Sequence, residues 1–234
     1  MSSLEEYRRA NCRQASAITI GGFRPAGDPA TTQFGLPPLA LPEESWPVQD
    51  GKSLFYICQL NLSEAPFVPS ILSDLALITV FIDPDAYFGK ENGDGWLIRD
   101  YSTLAGLQPL SIPSGQTVYR GFEARYELVD DYPVYDDPDC QTVPGFDSSG
   151  IHLDNINRSK IGGFASNIQS EQWWSYAVNP DDTQLVEQFK PAFCFQIATE
   201  DKVRLYWGDN GVIYFARSTN PDNEARWFLD TQCF

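Results

Sequence analysis

The chain has 234 residues, of which 42% are hydrophobic and 14% aromatic. That is long and apolar enough for one large domain or two small lobes, and it excludes general disorder. Thirty-two acidic against 16 basic residues leave a net charge of −16, which argues against nucleic acid or an anionic membrane surface as partner and suits a basic protein.

In chain order, Ser3-Leu-Glu-Glu6 reads as a capping box, with a short helix to about Gln14. MSSLEEYRRANCRQ has no apolar h-region, so a secretory signal is not expected. Ala17–Ile20 is strand-like. Residues 23–52 are rich in Pro and Gly, and Phe34 and Trp46 are the expected anchors of this long loop. Leu54–Leu62 and Leu75–Ile82 read as strands, the second apolar throughout and so buried on both faces. Asn92-Gly-Asp-Gly95 signals a turn, and Trp96–Tyr101 a returning strand.

Gln116–Leu128 reads as one long strand or two. Val129–Asp139 is acidic and broken by prolines, the expectation for an exposed connector running to about residue 145. Pro180-Asp-Asp182 opens a short helix, Thr183–Phe189, with its acidic residues in the first turn. Phe193–Ile197 and Val203–Tyr206 read as strands. Asp209-Asn-Gly211 has hairpin chemistry and Val212–Ala216 is the return strand. Arg226–Leu229 ends the series.

Two stretches echo one another. Residues 54–81 and 191–215 each contain an apolar strand ending in Gln plus an aliphatic residue, Gln59-Leu60 and Gln196-Ile197. Each then has a second apolar strand that closes on an aromatic. The pattern predicts an internal duplication. The expected fold is α+β, mainly β: one domain over 1–234, with two similar β-rich halves at 15–128 and 146–234. Antiparallel sheets, a few short peripheral helices and the acidic connector complete it.

The chemistry is restricted. The single histidine, His152, would have to serve any Ser-His-Asp or Cys-His arrangement, with Asp154 to orient it. No G-x-S-x-G elbow and no phosphate-loop pattern occur. Lys90–Tyr101 approaches a calcium loop but lacks the first ligand and the bidentate Glu, so it reads as a turn. Five cysteines are too dispersed for a C-x-x-C site, and a reduced, cytoplasmic protein is the expectation. Neither a metal nor a cofactor is expected. Gly162-Gly163 reads as a place of close backbone approach or positive φ. In Trp173-Trp174, adjacent residues on a strand would face opposite ways, which offers one indole for binding; the competing reading is that both cover core or a loop.

The order FGLPPLALPEESWP, GKSLFYICQL, KIGGFASNIQ, FCFQIATED, WGDNGVIYF resembles the YwqG-like family of bacterial proteins, a domain of unknown function. Lys160–Phe164, Ile168-Gln169 and Trp207–Phe215 match its motifs closely. The resemblance implies a duplicated, β-rich α+β fold and brings no catalytic residues. It also implies an immunity role, since such proteins look like some that are encoded beside secreted toxins.

The sequence thus leans away from an enzyme. It points to a non-enzymatic cytoplasmic binding protein, an immunity protein that neutralises a basic toxin by direct contact. The alternative is a small-ligand-binding protein or enzyme with a cleft between the halves, lined by Gln59, Gln169, Gln196 and Trp207 with Asp209 as its acid. A structural module of a larger assembly is a third class.

Overall fold

The structure is a computed structural model that describes residues 3–86, 89–118, 120–134, 137, 140–223 and 226–233. Its elements in chain order are α1 (Ser3–Ala10), β1 (Arg13–Ile20), β2 (Gln33–Phe34), β3 (Leu39–Ala40), β4 (Val48–Gln49), β5 (Lys52–Ser53), β6 (Phe55–Asn61), β7 (Leu77–Ile82), β8 (Trp96–Tyr101), β9 (Gln108–Pro109), β10 (Phe122–Asp131), β11 (Lys160–Gly162), α2 (Pro180–Phe189), β12 (Pro191–Ala198), β13 (Val212–Ser218) and β14 (Trp227–Gln232).

Ten strands form one sheet in the order β14-β13-β12-β11-β1-β10-β2-β6-β7-β8. Every ladder in it is antiparallel. The central pair is β1 with β10, and four strands continue outward on each side. Two bulges fall at matching places: between Tyr56 and Cys58 in β6, and between Phe193 and Phe195 in β12. Each lies just ahead of that strand's glutamine, Gln59 or Gln196. A bulge sharpens the twist of its strand, and with that curvature the sheet nearly closes into a barrel.

The residues before β8 bridge the remaining seam to β14. Leu229 N–H donates to the Lys90 carbonyl at 3.1 Å and Asn92 N–H to the Trp227 carbonyl at 3.3 Å. The Trp227 indole N–H also donates to Asp100 at 2.7 Å. Arg217 of β13 reaches across to the other arm, donating to both Asp74 oxygens at 2.5 and 2.8 Å and to the Ile71 carbonyl at 2.7 Å. That bidentate hydrogen bond holds the Asp74 carboxyl below the usual carboxylate range.

The main core lies inside the curled sheet. Ile57, Val80, Ile98, Phe195, Phe215 and Trp227 represent all six outer strands in it. Outside the sheet, smaller clusters sit under the loops. Leu54, Tyr56 and Phe81 are covered by Trp46, and Tyr214, Ala216 and Phe228 are covered by Trp173, Trp174 and Phe189 of α2.

Several expectations need correction. Phe34 is a sheet residue paired with Cys58, because β2 inserts between β10 and β6. Trp46 is the loop anchor expected, its indole donating to the Leu54 carbonyl at 2.8 Å. β1 begins at Arg13, inside the stretch expected to be helical up to Gln14. The stretch 116–128 holds one strand, and β10 runs on through Val129–Asp131, so those three residues are ladder rather than connector. Tyr135, Asp136, Pro138 and Asp139 of the connector lie outside the described residues.

Val203–Tyr206 is not a strand. β13 pairs directly with β12, and the loop between them caps the barrel end by sending Val203, Leu205 and Trp207 into the main core. Burial of those three side chains stabilises the loop more than a short ladder would. The hairpin chemistry of Asp209–Gly211 instead closes that cap, with Gly211 N–H donating to the Trp207 carbonyl at 2.7 Å and Asn210 at a φ of 58°.

A loop-built, recessed face as the candidate functional site

The two glutamines that end apolar strands are fully buried. Gln59 accepts from Leu39 N–H at 2.7 Å and donates to the Pro29 and Thr31 carbonyls, both at 2.9 Å. Gln196 accepts from Ser166 N–H at 3.0 Å and donates to the Arg158 carbonyl and the Ser166 hydroxyl, both at 2.9 Å. Each amide thus uses its carbonyl and both N–H donors on backbone and hydroxyl groups of a covering loop. Their common work is to fasten a loop to the outer face of the sheet.

Gly162 and Gly163 follow the close-approach reading. Both have positive φ, 75° and 72°. A Cβ on Gly162 would fall 2.6 Å from the Phe67 ring, and one on Gly163 would fall 2.2 Å from Asp131 Oδ2. Asp131 is the hub beneath this turn. It accepts from Ile156 N–H at 2.7 Å, Phe164 N–H at 2.8 Å and Lys160 Nζ at 2.8 Å, and the Lys160–Asp131 pair is wholly shut off from solvent. Burial pulls the Lys160 ammonium down to about 8, against the opposing pull of Asp131. Tyr214 donates to the Ser166 carbonyl at 2.6 Å. Sequence reasoning missed Asp131, Lys160 and Ser166. A lysine opening the apolar strand before Gly162-Gly163 was the one signal for them, since a charge at a core-facing position demands a partner.

Trp173 and Trp174 are both buried, at 6% and 7% exposure, so both rings cover core and neither is the exposed indole of the binding reading. The pair lies in a turn, where strand alternation does not apply. The Trp173 N–H donates to the Leu229 carbonyl at 2.9 Å, and the two rings meet edge-on at 5.6 Å. Trp207 is core and Asp209 is exposed in the cap. Gln169, also exposed, donates to the Cys233 carbonyl. The structure therefore does not gather Gln59, Gln169, Gln196, Trp207 and Asp209 round one cleft. His152 is exposed on the loop between β10 and β11, and Asp154 beside it pairs with Arg8 at 4.0 Å. The side chain of Asn92, in the calcium-like stretch, bonds the Ile98 backbone at 2.7 and 3.2 Å, as a turn would. Among the described residues, no group of three or more His, Cys, Asp or Glu is placed to hold a metal, and no helix is long and apolar enough to cross a membrane.

What the fold does assemble is a recessed face. The loops that follow β10 and β11 lie over the outer side of the second arm and leave three adjoining recesses. The first, about 380 Å³, has Phe164, Trp174 and Phe193 in its walls with Arg13, Asp137 and Glu171. The second, about 480 Å³, is bordered by Tyr7, Asp137, Cys140 and Asp147. The third, about 350 Å³, is bordered by Asp137, Asn167, Gln169 and Glu171. Asp137 borders all three. Arg13, from the start of β1, stacks its guanidinium on the Phe164 ring at 4.0 Å. Three carboxylates against one guanidinium give these walls a negative sign.

The protein is thus a nearly closed antiparallel β-barrel carrying an acidic, loop-built face on one flank. It belongs to a family described as a domain of unknown function, DUF1963, whose model matches residues 32–228. The match runs from just before β2 into β14 and takes in Asp137, Asp147 and Glu171, while Arg13 precedes it. No curated protein matches the chain.

Proposed function

We propose that the protein is a non-enzymatic binding protein that holds a basic protein partner against the recessed face. The observation that carries this reading is the joining of three recesses under the carboxylates Asp137, Asp147 and Glu171, on a chain of net charge −16. Loops on a rigid scaffold are where binding residues concentrate, and an acidic face raises the encounter rate with a basic partner. The YwqG-like resemblance adds the narrower reading of a cytoplasmic immunity protein that occludes a toxin. It also adds an ancestral duplication, supported by the equal arms about β1 and β10 and by the matching bulges before Gln59 and Gln196.

A second reading, a small-ligand protein, is favoured by one feature only. The 380 Å³ recess falls within the size range of ligand sites. Its place on the flank rather than between the arms differs from the cleft expected.

Co-expression with a toxin encoded beside this gene is the direct test. Protection of the cells is expected, with a complex that weakens as salt rises from about 50 to 500 mM, because the attraction is screened. A toxin that neither binds nor is neutralised removes the immunity reading for that pair. Stable binding that is indifferent to salt removes the electrostatic reading.

A further inference from the structure

The recess bordered by Trp174 has features that the general charge of the face does not require. Its walls include three aromatic side chains, Phe164, Trp174 and Phe193. The Glu171 carboxylate borders both this recess and the next, and makes no hydrogen bond or ion pair with any described residue. Directly beyond Trp174 and Ser175, two apolar side chains stand out from the surface. Tyr176 is 46% exposed and Val178 is 87% exposed.

This projecting loop is fixed at both ends. Trp173 is anchored to Leu229, and Asn179 caps α2 by accepting from Asp182 N–H at 2.8 Å. A contact surface held in place before binding loses little entropy on binding.

Resting on the reading of the face as a site for a basic partner, we propose that this recess is the anchor of the interface. It takes one arginine side chain from the partner, with Tyr176 and Val178 packing against the residues beside that arginine. A planar guanidinium can stack on aromatic rings while its fork donates to a carboxylate, which a lysine ammonium cannot do at once. The wall already holds one example, Arg13 on Phe164 at 4.0 Å. Arg13 opposes a second cation, but Asp137 and Glu171 together outweigh it. Tyrosine is among the residue types that dominate interface energetics, and it suits the edge of such a pocket.

The test uses the full chain with blocked tetra-arginine and tetra-lysine peptides, titrated calorimetrically at low salt. These probes carry equal charge, so diffuse attraction treats them alike. The expected result is that tetra-arginine binds at least about fivefold more tightly, a difference of the size that stacking a guanidinium on an aromatic face provides. Glu171→Gln is expected to remove most of that preference, and Tyr176→Ala to weaken the arginine peptide by about threefold or more. Asp201→Asn, which removes the same charge from the exposed barrel-end loop, is expected to change binding by less than about twofold.

Thermal unfolding of Glu171→Gln checks that the loop substitution leaves the fold intact. Equal binding of the two peptides, or equal weakening by Glu171→Gln and Asp201→Asn, overturns the arginine anchor and leaves the acidic face standing. Failure of both peptides to bind overturns the anchor and the basic-partner reading together.

Discussion

Gln59 and Gln196 show how much a single buried amide decides here. Each replaces the water that three polar groups of a covering loop would otherwise need. Gln196→Leu keeps the volume but strands Ser166 N–H and the Arg158 carbonyl away from solvent. Each such loss costs roughly 1–3 kcal/mol, so a destabilisation of about 3 kcal/mol is expected in urea unfolding. A variant as stable as the parent would mean that the loop finds other partners. The pairing of glutamine with an apolar strand end was visible in the sequence; that both glutamines are spent on loops was not. The same limit applies to Trp173 and Trp174, whose exposure depends on whether the backbone there is strand or turn.

At the scale of the element, β11 is only three residues long but joins β12–β14 to the central pair, pairing with β1 on one side and β12 on the other. Its first residue, Lys160, brings a charge into a dry site. The unfolded chain keeps that proton up to about 10.5, whereas the folded chain releases it near 8. Between those values the unfolded state binds more protons, so the lysine's contribution to stability rises with pH.

Lys160→Met keeps a long unbranched stem and removes this dependence. The stability of the parent relative to the variant is then expected to rise from pH 8 to 10.5. The rise reaches up to roughly 3 kcal/mol, because each tenfold difference in proton affinity between the folded and unfolded chain is worth about 1.36 kcal/mol. A gap that stays constant across this window would show that Lys160 does not titrate there.

For the whole molecule, the order of strands matters more than their number. β1, in the first half, pairs with β11, in the second. The main core likewise takes side chains from both arms, and Arg217 ties β13 to Asp74 of the first arm. The halves 15–128 and 146–234 are therefore not separate folding units. A fragment of residues 146–234 is expected to stay unfolded by circular dichroism and amide exchange, because β11 loses β1 and the core loses half its side chains. A cooperatively folded fragment would contradict this. The full chain is expected to unfold in one transition.

Local patterns determined a good deal. Apolar runs bounded by turn residues marked β6, β7, β8, β12 and β13, because burial and turn chemistry act on neighbours in the chain. Net charge and the lone histidine narrowed the chemistry without any coordinates. Only tertiary structure decided the rest. The two residues of β2 carry no periodicity, and it is insertion between β10 and β6 that makes them a strand. Val203–Tyr206 looks like a strand, yet burial of Val203 and Leu205 in the barrel end makes it part of a cap. The recessed face draws on α1, on β1, on residues 137 and 140–153 and on 163–193, segments whose meeting rests on long-range pairing and on the Lys160–Asp131–Gln196 network. No local signal records such a meeting, because the free energy that brings those residues together comes from contacts far apart in the chain.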